Sequence, residues 1–163
     1  MLREDNMQRT VTVTTIISGG QTGADRAALD FALARDIAIA GYCPRGRRAD
    51  DGKLNMKYPL KETASSAYPP RTCKNVILAD ATVIFNGAPR VSSGTRTTVR
   101  YAQLHQKKYK VLRGFPNVEK DAIALEEWLV MQHVTSLNVA GNREEGCRGI
   151  YRHVFAVLER IWR

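Results

Sequence analysis

The sequence predicts a doubly wound α/β fold, in which a parallel sheet of about five strands carries helices on both faces. Short β-branched apolar runs alternate with longer segments whose apolar residues recur at helical spacing, and this alternation occurs five times in 163 residues. Parallel strands need long crossover connections, usually helices, so the alternation indicates a sheet covered on both faces. Because no linker, repeat or low-complexity tract divides the chain, we expect one ligand-binding domain over 1–163, with residues 1–10 frayed.

The first half of the chain contains two of the predicted strands. The run VTVTTIIS (11–18) predicts the first, because β-branched residues fit a pleated, half-buried surface. A helix with one apolar face follows over 24–35, and IAIAGY (37–42) predicts the second strand. Residues 43 to about 70 are rich in proline and glycine and have no clear period. A connection of this length inside a compact domain is usually either functional or disordered.

The second half continues the alternation of helices and strands. The third, fourth and fifth strands are predicted over 81–87, 109–115 and 136–141. A short helix over 72–80 precedes the third strand, and a helix that begins at a small-residue turn and ends at about Gln106 follows it. A helix capped by Asn117 precedes the fifth strand, and an amphipathic helix follows that strand.

Composition narrows the class of protein. The net charge of +9 favours anionic partners, but the basic residues that stand out lie in one loop and no nucleic-acid motif is present. We therefore expect an anionic small-molecule ligand and no specific nucleic acid. No apolar run approaches the ~20 residues of a membrane span, and the N-terminus has no apolar signal region. Three cysteines without CxxC spacing fit a reducing compartment, so we expect a cytoplasmic protein without membrane contact.

Two glycine-containing turns are the candidate ligand site. IISGGQTGAD (16–25) and VSSGTRTT (91–98) each follow a predicted strand and precede a helix. Each turn would direct free backbone N–H groups and a positive helix end into the crevice beyond the carboxyl ends of the strands. The glycines would let a ligand approach the backbone closely. Neither turn matches a dinucleotide-binding or P-loop fingerprint, and the alternative is a pair of tight turns that only begin helices.

Charged residues near these turns support an anionic ligand. Residues 42–75 contain eight basic and three acidic side chains and so contribute +5 to the net charge. Arg45 directly follows the second strand, where its guanidinium could bind a phosphate in a bidentate manner. Asp25 lies in the first turn of a helix, where the dipole favours an acidic side chain. It could instead bind a polar group of a ribose or a pterin.

Five blocks in order carry a family resemblance. IISGGQTGADRAALDFAL, GYCPRGRRADDGKLNMKYPLKE, YPPRTCKNV, SSGTRTT and LNVAGNREEGCRGIY resemble the putative molybdenum carrier family. That family belongs to a wider group of Rossmann-like proteins, which includes the lysine-decarboxylase-like, cytokinin-activating phosphoribohydrolases. The resemblance implies strand order 2-1-3-4-5, with the switch point between the first and third strands. It also implies a phosphate-bearing ligand, either a nucleotide or the pterin of the molybdenum cofactor.

The same resemblance assigns binding residues by position and none as metal ligands. They are Gly19, Gly20, Gln21, Thr22, Gly23, Asp25, Arg45, Gly46, Arg71, Thr72, Asn75, Ser92, Gly94, Thr95 and Thr98. Ser93 is a further candidate on the residues alone, because its hydroxyl is a donor at the same turn. Ser93 stands where the family tends to have a second glycine. The loop over 141–149 also departs from the family's pattern, so no role is assigned to it.

The resemblance also bears on catalysis and on assembly. The related hydrolases carry GGxGTxxE at the second turn, and their glutamate position is Thr98 in this chain. Threonine cannot act as a general acid near neutral pH, so we expect a carrier or sensor and no catalytic residue. The alternative is a nucleotide phosphoribohydrolase that uses Asp25. The resemblance also implies a homo-oligomer, and Trp162 extends the apolar stripe of the last helix, so we expect self-association.

Overall fold

The computed structural model describes residues 10–115 and 117–163. Apart from Thr10, the segment predicted to be frayed lies outside the described residues. The strands are β1 (Thr15–Ile17), β2 (Ala38–Ala40), β3 (Tyr42–Cys43), β4 (Arg48–Ala49), β5 (Gly52–Lys53), β6 (Lys61–Glu62), β7 (Ala81–Asn86), β8 (Lys108–Arg113) and β9 (Ser136–Gly141). The helices are α1 (Ala24–Ala34), α2 (Tyr68–Leu78), α3 (Ser93–Leu104), α4 (Val118–Met131) and α5 (Ile150–Ile161).

Five parallel strands form the central sheet in the order β2-β1-β9-β7-β8. Helices α1, α4 and α5 pack together on one face, and α2 packs against α3 on the other. The predicted doubly wound α/β fold is therefore confirmed. The five strands also correspond to the five predicted runs, although β1 is shorter than 11–18 and β8 begins one residue earlier than predicted.

The predicted strand order 2-1-3-4-5 is wrong, because the last strand lies at the centre of the sheet. Strand β9 pairs with β1 on one side and with β7 on the other. Its residues 137–139 are buried, as expected of a strand covered on both faces. The predicted fourth strand, β8, is the edge instead. Its three cations, Lys108, Lys110 and Arg113, suit an edge and not an interior position.

The sheet has the Rossmann order with a displaced chain start. If β9 and α5 preceded β1 in the chain, the order β2-β1-β9-β7-β8 would read 3-2-1-4-5, which is the common doubly wound arrangement. The chain leaves β9 toward α5 on one face and leaves β7 toward α3 on the other. The switch point therefore lies between β9 and β7, and not between the first and third strands as predicted.

The long connection over 43–70 is folded. It contains a parallel β3-β6 pair and an antiparallel β4-β5 pair. Arg47 is buried and its guanidinium donates hydrogen bonds to four carbonyl groups of residues 54–60, which fixes the loop. Helix α2 begins at Tyr68, earlier than the predicted residue 72, with Pro69 and Pro70 in its first turn, where proline is tolerated.

The main core joins the sheet to α1, α4 and α5. The ring of Trp162 packs edge-on against Phe31 of α1, with 5.5 Å between centroids. Trp162 therefore packs within its own chain and gives no support for a contact with a second copy. Self-association stays a prediction. No helix among the described residues is both long and apolar enough to span a bilayer.

Candidate functional site

A cavity of about 540 Å³ opens at the carboxyl ends of β1, β7 and β9, at the switch point. Its size lies within the range of small-molecule sites. The structure brings together most of the predicted binding residues along its wall. These are Gly19, Gln21, Asp25, Arg71, Thr72, Asn75, Ser92, Ser93, Gly94, Thr95 and Thr98.

Five predicted residues do not line this cavity. Arg45 is exposed and its backbone N–H donates a hydrogen bond to the carbonyl of Ser65, while the backbone N–H of Gly46 donates one to the Glu62 carboxylate. The buried arginine of this segment is Arg47, whose role is structural. The remaining three are Gly20, Thr22 and Gly23, and of these Thr22 and Gly23 line a separate, more open pocket beside Arg26 and Glu145.

The glycines of the first turn make room for the protein itself, which corrects the reason given for them above. A Cβ at Gly19 would lie 1.7 Å from Nη1 of Arg71, and one at Gly23 would lie 2.4 Å from the carbonyl oxygen of Asn142. Gly23 also has φ +81, in the region that favours glycine. Side chains at these positions would therefore displace Arg71 or the chain after β9.

Asp25 and Arg71 form a buried ion pair on the cavity wall. Nη1 of Arg71 lies 2.9 Å from Oδ2 of Asp25, and both residues are at most 8% exposed. Burial raises the pKa of the Asp25 carboxyl, against the opposing effect of the guanidinium. The Nε of Arg71 is the one buried side-chain nitrogen or oxygen of residues 10–115 and 117–163 that has no hydrogen-bond partner. An unpaired buried donor is costly, so a ligand acceptor at this position would stabilise the site.

The N-terminus of α3 provides the second set of donors. Ser92 caps the helix by accepting a hydrogen bond from Thr95 N at 3.1 Å. The backbone N–H groups of Ser93 and Gly94 have no partner among the described residues, as expected in a first turn. Both residues are exposed and line the cavity. This end of α3 therefore offers free N–H groups and a positive dipole to an anion.

Asn86 holds this turn in place. The fully buried side chain of Asn86 accepts hydrogen bonds from Ser92 N at 3.2 Å, Thr95 Oγ1 at 2.9 Å and Asn142 Nδ2 at 3.3 Å. Asn142 in turn accepts from Ala88 N at 3.2 Å. The two asparagines thus couple the loop after β7 to the loop after β9 across the switch point.

Asp50 closes the rim of the cavity. Its carboxylate accepts hydrogen bonds from Nη1 of Arg143 at 3.0 Å and from the Tyr68 hydroxyl at 3.2 Å. The guanidinium carbons of Arg143 and Arg48 each lie 4.7 Å from the centroid of the Tyr68 ring, and that of Arg71 lies 5.3 Å away. Three arginines therefore surround one aromatic ring at the rim, where Asp50 pairs with Arg143 and Asp25 pairs with Arg71.

The loop after β9 is the part of the site that sequence reasoning missed. Residues 138–143 and Gly146 line the cavity, although no role was assigned to the loop over 141–149. This loop also follows a parallel strand and precedes a helix, so the rule that selected the two glycine turns would have selected it as well. The other unassigned lining residues are Tyr68, Pro69, Ala88 and Thr97.

The donor set suits oxyanion binding. Backbone amides, hydroxyls, side-chain amides and a guanidinium line the wall, and these groups bind phosphate and related oxyanions. Thr98, at the hydrolase glutamate position, donates its hydroxyl to the carbonyl of Gly94 at 2.9 Å. Among the described residues, no group of three or more His, Cys, Asp or Glu side chains is placed to hold a metal ion.

Comparison with known proteins confirms the family that the five sequence blocks suggested. The chain is similar to a protein from Syntrophus aciditrophicus SB, whose crystal structure is described as that of a putative molybdenum carrier protein. The two are 36% identical with a TM-score of 0.89, and the match covers 93% of this chain and 96% of the other. No curated protein matches the chain. Residues 16–162 match the model of the circularly permutated YpsA SLOG family. The displaced chain start found in the sheet agrees with that description, and the chain belongs to the circularly permutated YpsA SLOG family.

Proposed function

We propose that this protein binds a phosphate-bearing small molecule, a nucleotide or a pterin of the molybdenum-cofactor type, and carries or senses it without hydrolysing it. One observation carries the proposal. The free N–H groups of Ser93 and Gly94 line the same cavity as Arg71, whose buried Nε has no hydrogen-bond partner among the described residues. Donors from two helices thus converge on one space that is large enough for a nucleotide.

The carrier role is favoured by two further facts. The Syntrophus protein is described as a putative molybdenum carrier. In addition, the position that holds a glutamate in the related hydrolases is Thr98, which is buried and bonded to the backbone. The cavity wall contributes one carboxylate, that of Asp25, and it is already paired with Arg71.

The test adds a negative charge where the phosphate would bind. Gly94→Asp places a carboxylate at the N-terminus of α3, where a Cβ meets nothing closer than 3.9 Å. A carboxylate ~4 Å from a phosphate repels it by about 4 kcal/mol at the screening typical of a protein surface, so we expect at least a tenfold weaker affinity. The helix itself should be as stable or more stable, because an acidic residue there favours the dipole. A loss of binding would then not reflect unfolding.

Binding is measured by titration calorimetry with adenosine and guanosine monophosphate, inorganic phosphate and molybdate. The matched control is Gln103→Glu, which adds the same charge near the other end of the same helix and should bind like the wild type. Wild-type protein that binds none of the phosphates, or that binds only molybdate, contradicts the proposal, as does tight binding by Gly94→Asp.

Release of free base during the titration tests the carrier role. Turnover at an ordinary enzymatic rate, ~1–10³ per second, that Asp25→Asn abolishes would establish a phosphoribohydrolase instead. We expect no such turnover.

A further inference from the structure

The positive charge of this protein is concentrated at one edge of the sheet. Between Ala81 and Phe115 the chain contains no Asp or Glu, so this stretch carries +7 of the net +9. It forms β7, α3 and β8, and β8 is the outermost strand. The seven cations are Arg90, Arg96, Arg100, Lys107, Lys108, Lys110 and Arg113.

These cations lack the partners that other cations of the protein have. Arg26, Arg71 and Arg160 each form a salt bridge of 2.9 Å or less. Within the part of the chain that the structure describes, none of the seven has a carboxylate oxygen within 4.0 Å. Arg96 and Arg100 even lie four residues apart on α3, where like charges repel and destabilise the helix slightly. Arg96, Lys107 and Lys108 donate hydrogen bonds to backbone carbonyl groups, but no ion pair among the described residues accounts for the seven positive charges.

An exposed apolar patch lies beside the cations. Leu104 follows Arg100 by one turn on the outer stripe of α3 and is 69% exposed. Ile77 and Leu78, at the end of the neighbouring α2, are 44% and 46% exposed. Nζ of Lys107 donates to the carbonyl of Ala79, directly after Leu78, so the end of α2 lies beside the chain after α3. Apolar side chains bordered by arginines are typical of a protein–protein interface.

We propose that this surface, the basic edge, docks an acidic protein whose contact residues include apolar side chains. The basic edge consists of the exposed residues Arg96, Arg100, Leu104 and Arg113 together with Ile77 and Leu78. A second copy of this chain does not fit it in a two-fold contact, because the three arginines of one basic edge would face those of the other and repel them. The basic edge begins next to Ser93 and Gly94 on the cavity rim, so a docked protein would lie beside the cavity. The proposal does not depend on what the cavity binds.

The test compares two charge-matched triple variants. Arg96→Gln, Arg100→Gln and Arg113→Gln together remove three charges from the basic edge. Lys53→Gln, Arg148→Gln and Arg152→Gln remove three exposed charges elsewhere. The probe is a helical peptide of ~20 residues, about 30 Å long, with glutamates on both sides of a leucine stripe. Its affinity is measured by fluorescence anisotropy at about 0.15 M salt, where the Debye length is near 8 Å.

We expect the edge triple variant to bind at least tenfold more weakly than the wild type, and the control triple variant to stay within twofold. Leu104→Ser, at an exposed position, should weaken binding severalfold without loss of thermal stability. Equal weakening by both triple variants would reduce the interaction to net charge and overturn the proposal. So would a peptide that does not bind, or tighter binding of a ~20 base-pair DNA duplex at the same salt.

Discussion

At the scale of single residues, the cavity rim holds an internal counter-ion. The Asp50 carboxylate neutralises Arg143 and accepts from the Tyr68 hydroxyl, and Arg143 and Tyr68 both line the cavity. An anionic group of a ligand would compete with Asp50 for the same two donors. Asp50 therefore sets how strongly the rim attracts a second negative charge.

Replacing Asp50 by asparagine should strengthen binding of adenosine monophosphate. Surface ion pairs contribute about 0.5–1 kcal/mol, so we expect a two- to fivefold higher affinity in calorimetry. Asp51→Asn is the matched control, because Asp51 pairs with Arg26 at 2.8 Å and does not line the cavity. If Asp50→Asn instead weakens binding, Asp50 organises the rim and does not compete with the ligand.

The sequence pattern predicted the turns that line the cavity more successfully than it predicted which arginines lie there. Gly94 and Ser93 could be selected because any turn between a parallel strand and a helix faces the same crevice. Arg45 and Arg47 are two residues apart in one loop, and only the fold decides which is exposed and which is buried. The short strand pairs within 43–70 are held by the hydrogen bonds that Arg47 donates to four carbonyl groups. Such a tertiary arrangement has no local sequence signature.

At the scale of elements, Asp80 fixes the start of β9 against the end of α2. Oδ2 of Asp80 accepts hydrogen bonds from Thr135 Oγ1 at 2.6 Å, Thr135 N at 2.9 Å and Ser136 N at 3.0 Å. These bonds, led by that of the Thr135 hydroxyl, lower the pKa of the Asp80 carboxyl. The folded state therefore binds the proton less readily than the unfolded state, whose aspartate pKa is about 3.9.

Asp80→Asn should consequently destabilise the protein in a pH-dependent way. The stabilisation is fully present above the unfolded pKa and is lost as the pH falls through the lower folded value. We expect the free energy of unfolding in urea to fall by about 1 kcal/mol at pH 7, and the difference from the wild type to shrink in acid, as the pH falls below the unfolded aspartate pKa of about 3.9. Asp36→Asn, a replacement at an exposed position, should leave the free energy of unfolding unchanged both at pH 7 and in acid. A loss of stability that persists unchanged in acid would contradict the role of the charge.

The positions of β8 and β9 show what composition can say about elements. KYKVLR carries three cations in six residues and SLNVAG carries none, so the first suits an edge and the second a centre. The family resemblance implied the opposite arrangement, strand order 2-1-3-4-5, and consecutive strands are also usually neighbours in space. In this sheet the last strand in the chain lies between β1 and β7, so chain order does not give the order in space. The polarity of each strand agrees with its position at the centre or at the edge of the sheet.

At the scale of the whole molecule, the centre of the sheet comes from the end of the chain. Strand β9 bridges β1 and β7, and α5 packs against both α1 and α4. Deleting 134–163 would separate the sheet into two parts and expose the core faces of both helices. Without this segment we expect no cooperative thermal unfolding.

Moving the same segment to the front of the chain should instead preserve the fold. A permutant that begins at Val134, joins Arg163 to Met1 through a short Gly/Ser linker and ends at His133 gives the sheet the chain order 3-2-1-4-5. The opened connection is short, His133 is exposed, and the new start of the chain keeps the hydrogen bonds that Thr12 and Thr14 donate to the carbonyl groups of residues 134 and 135. Because nearly all contacts are retained, we expect a melting temperature within ~10 °C of the wild type, followed by circular dichroism, and unchanged binding of adenosine monophosphate. The control carries the same join but opens the chain inside β9, between Asn138 and Val139, and should not fold. If the permutant that begins at Val134 also fails to fold, the connection before β9 is part of what the fold requires, and the order of strands in space is not sufficient to specify it.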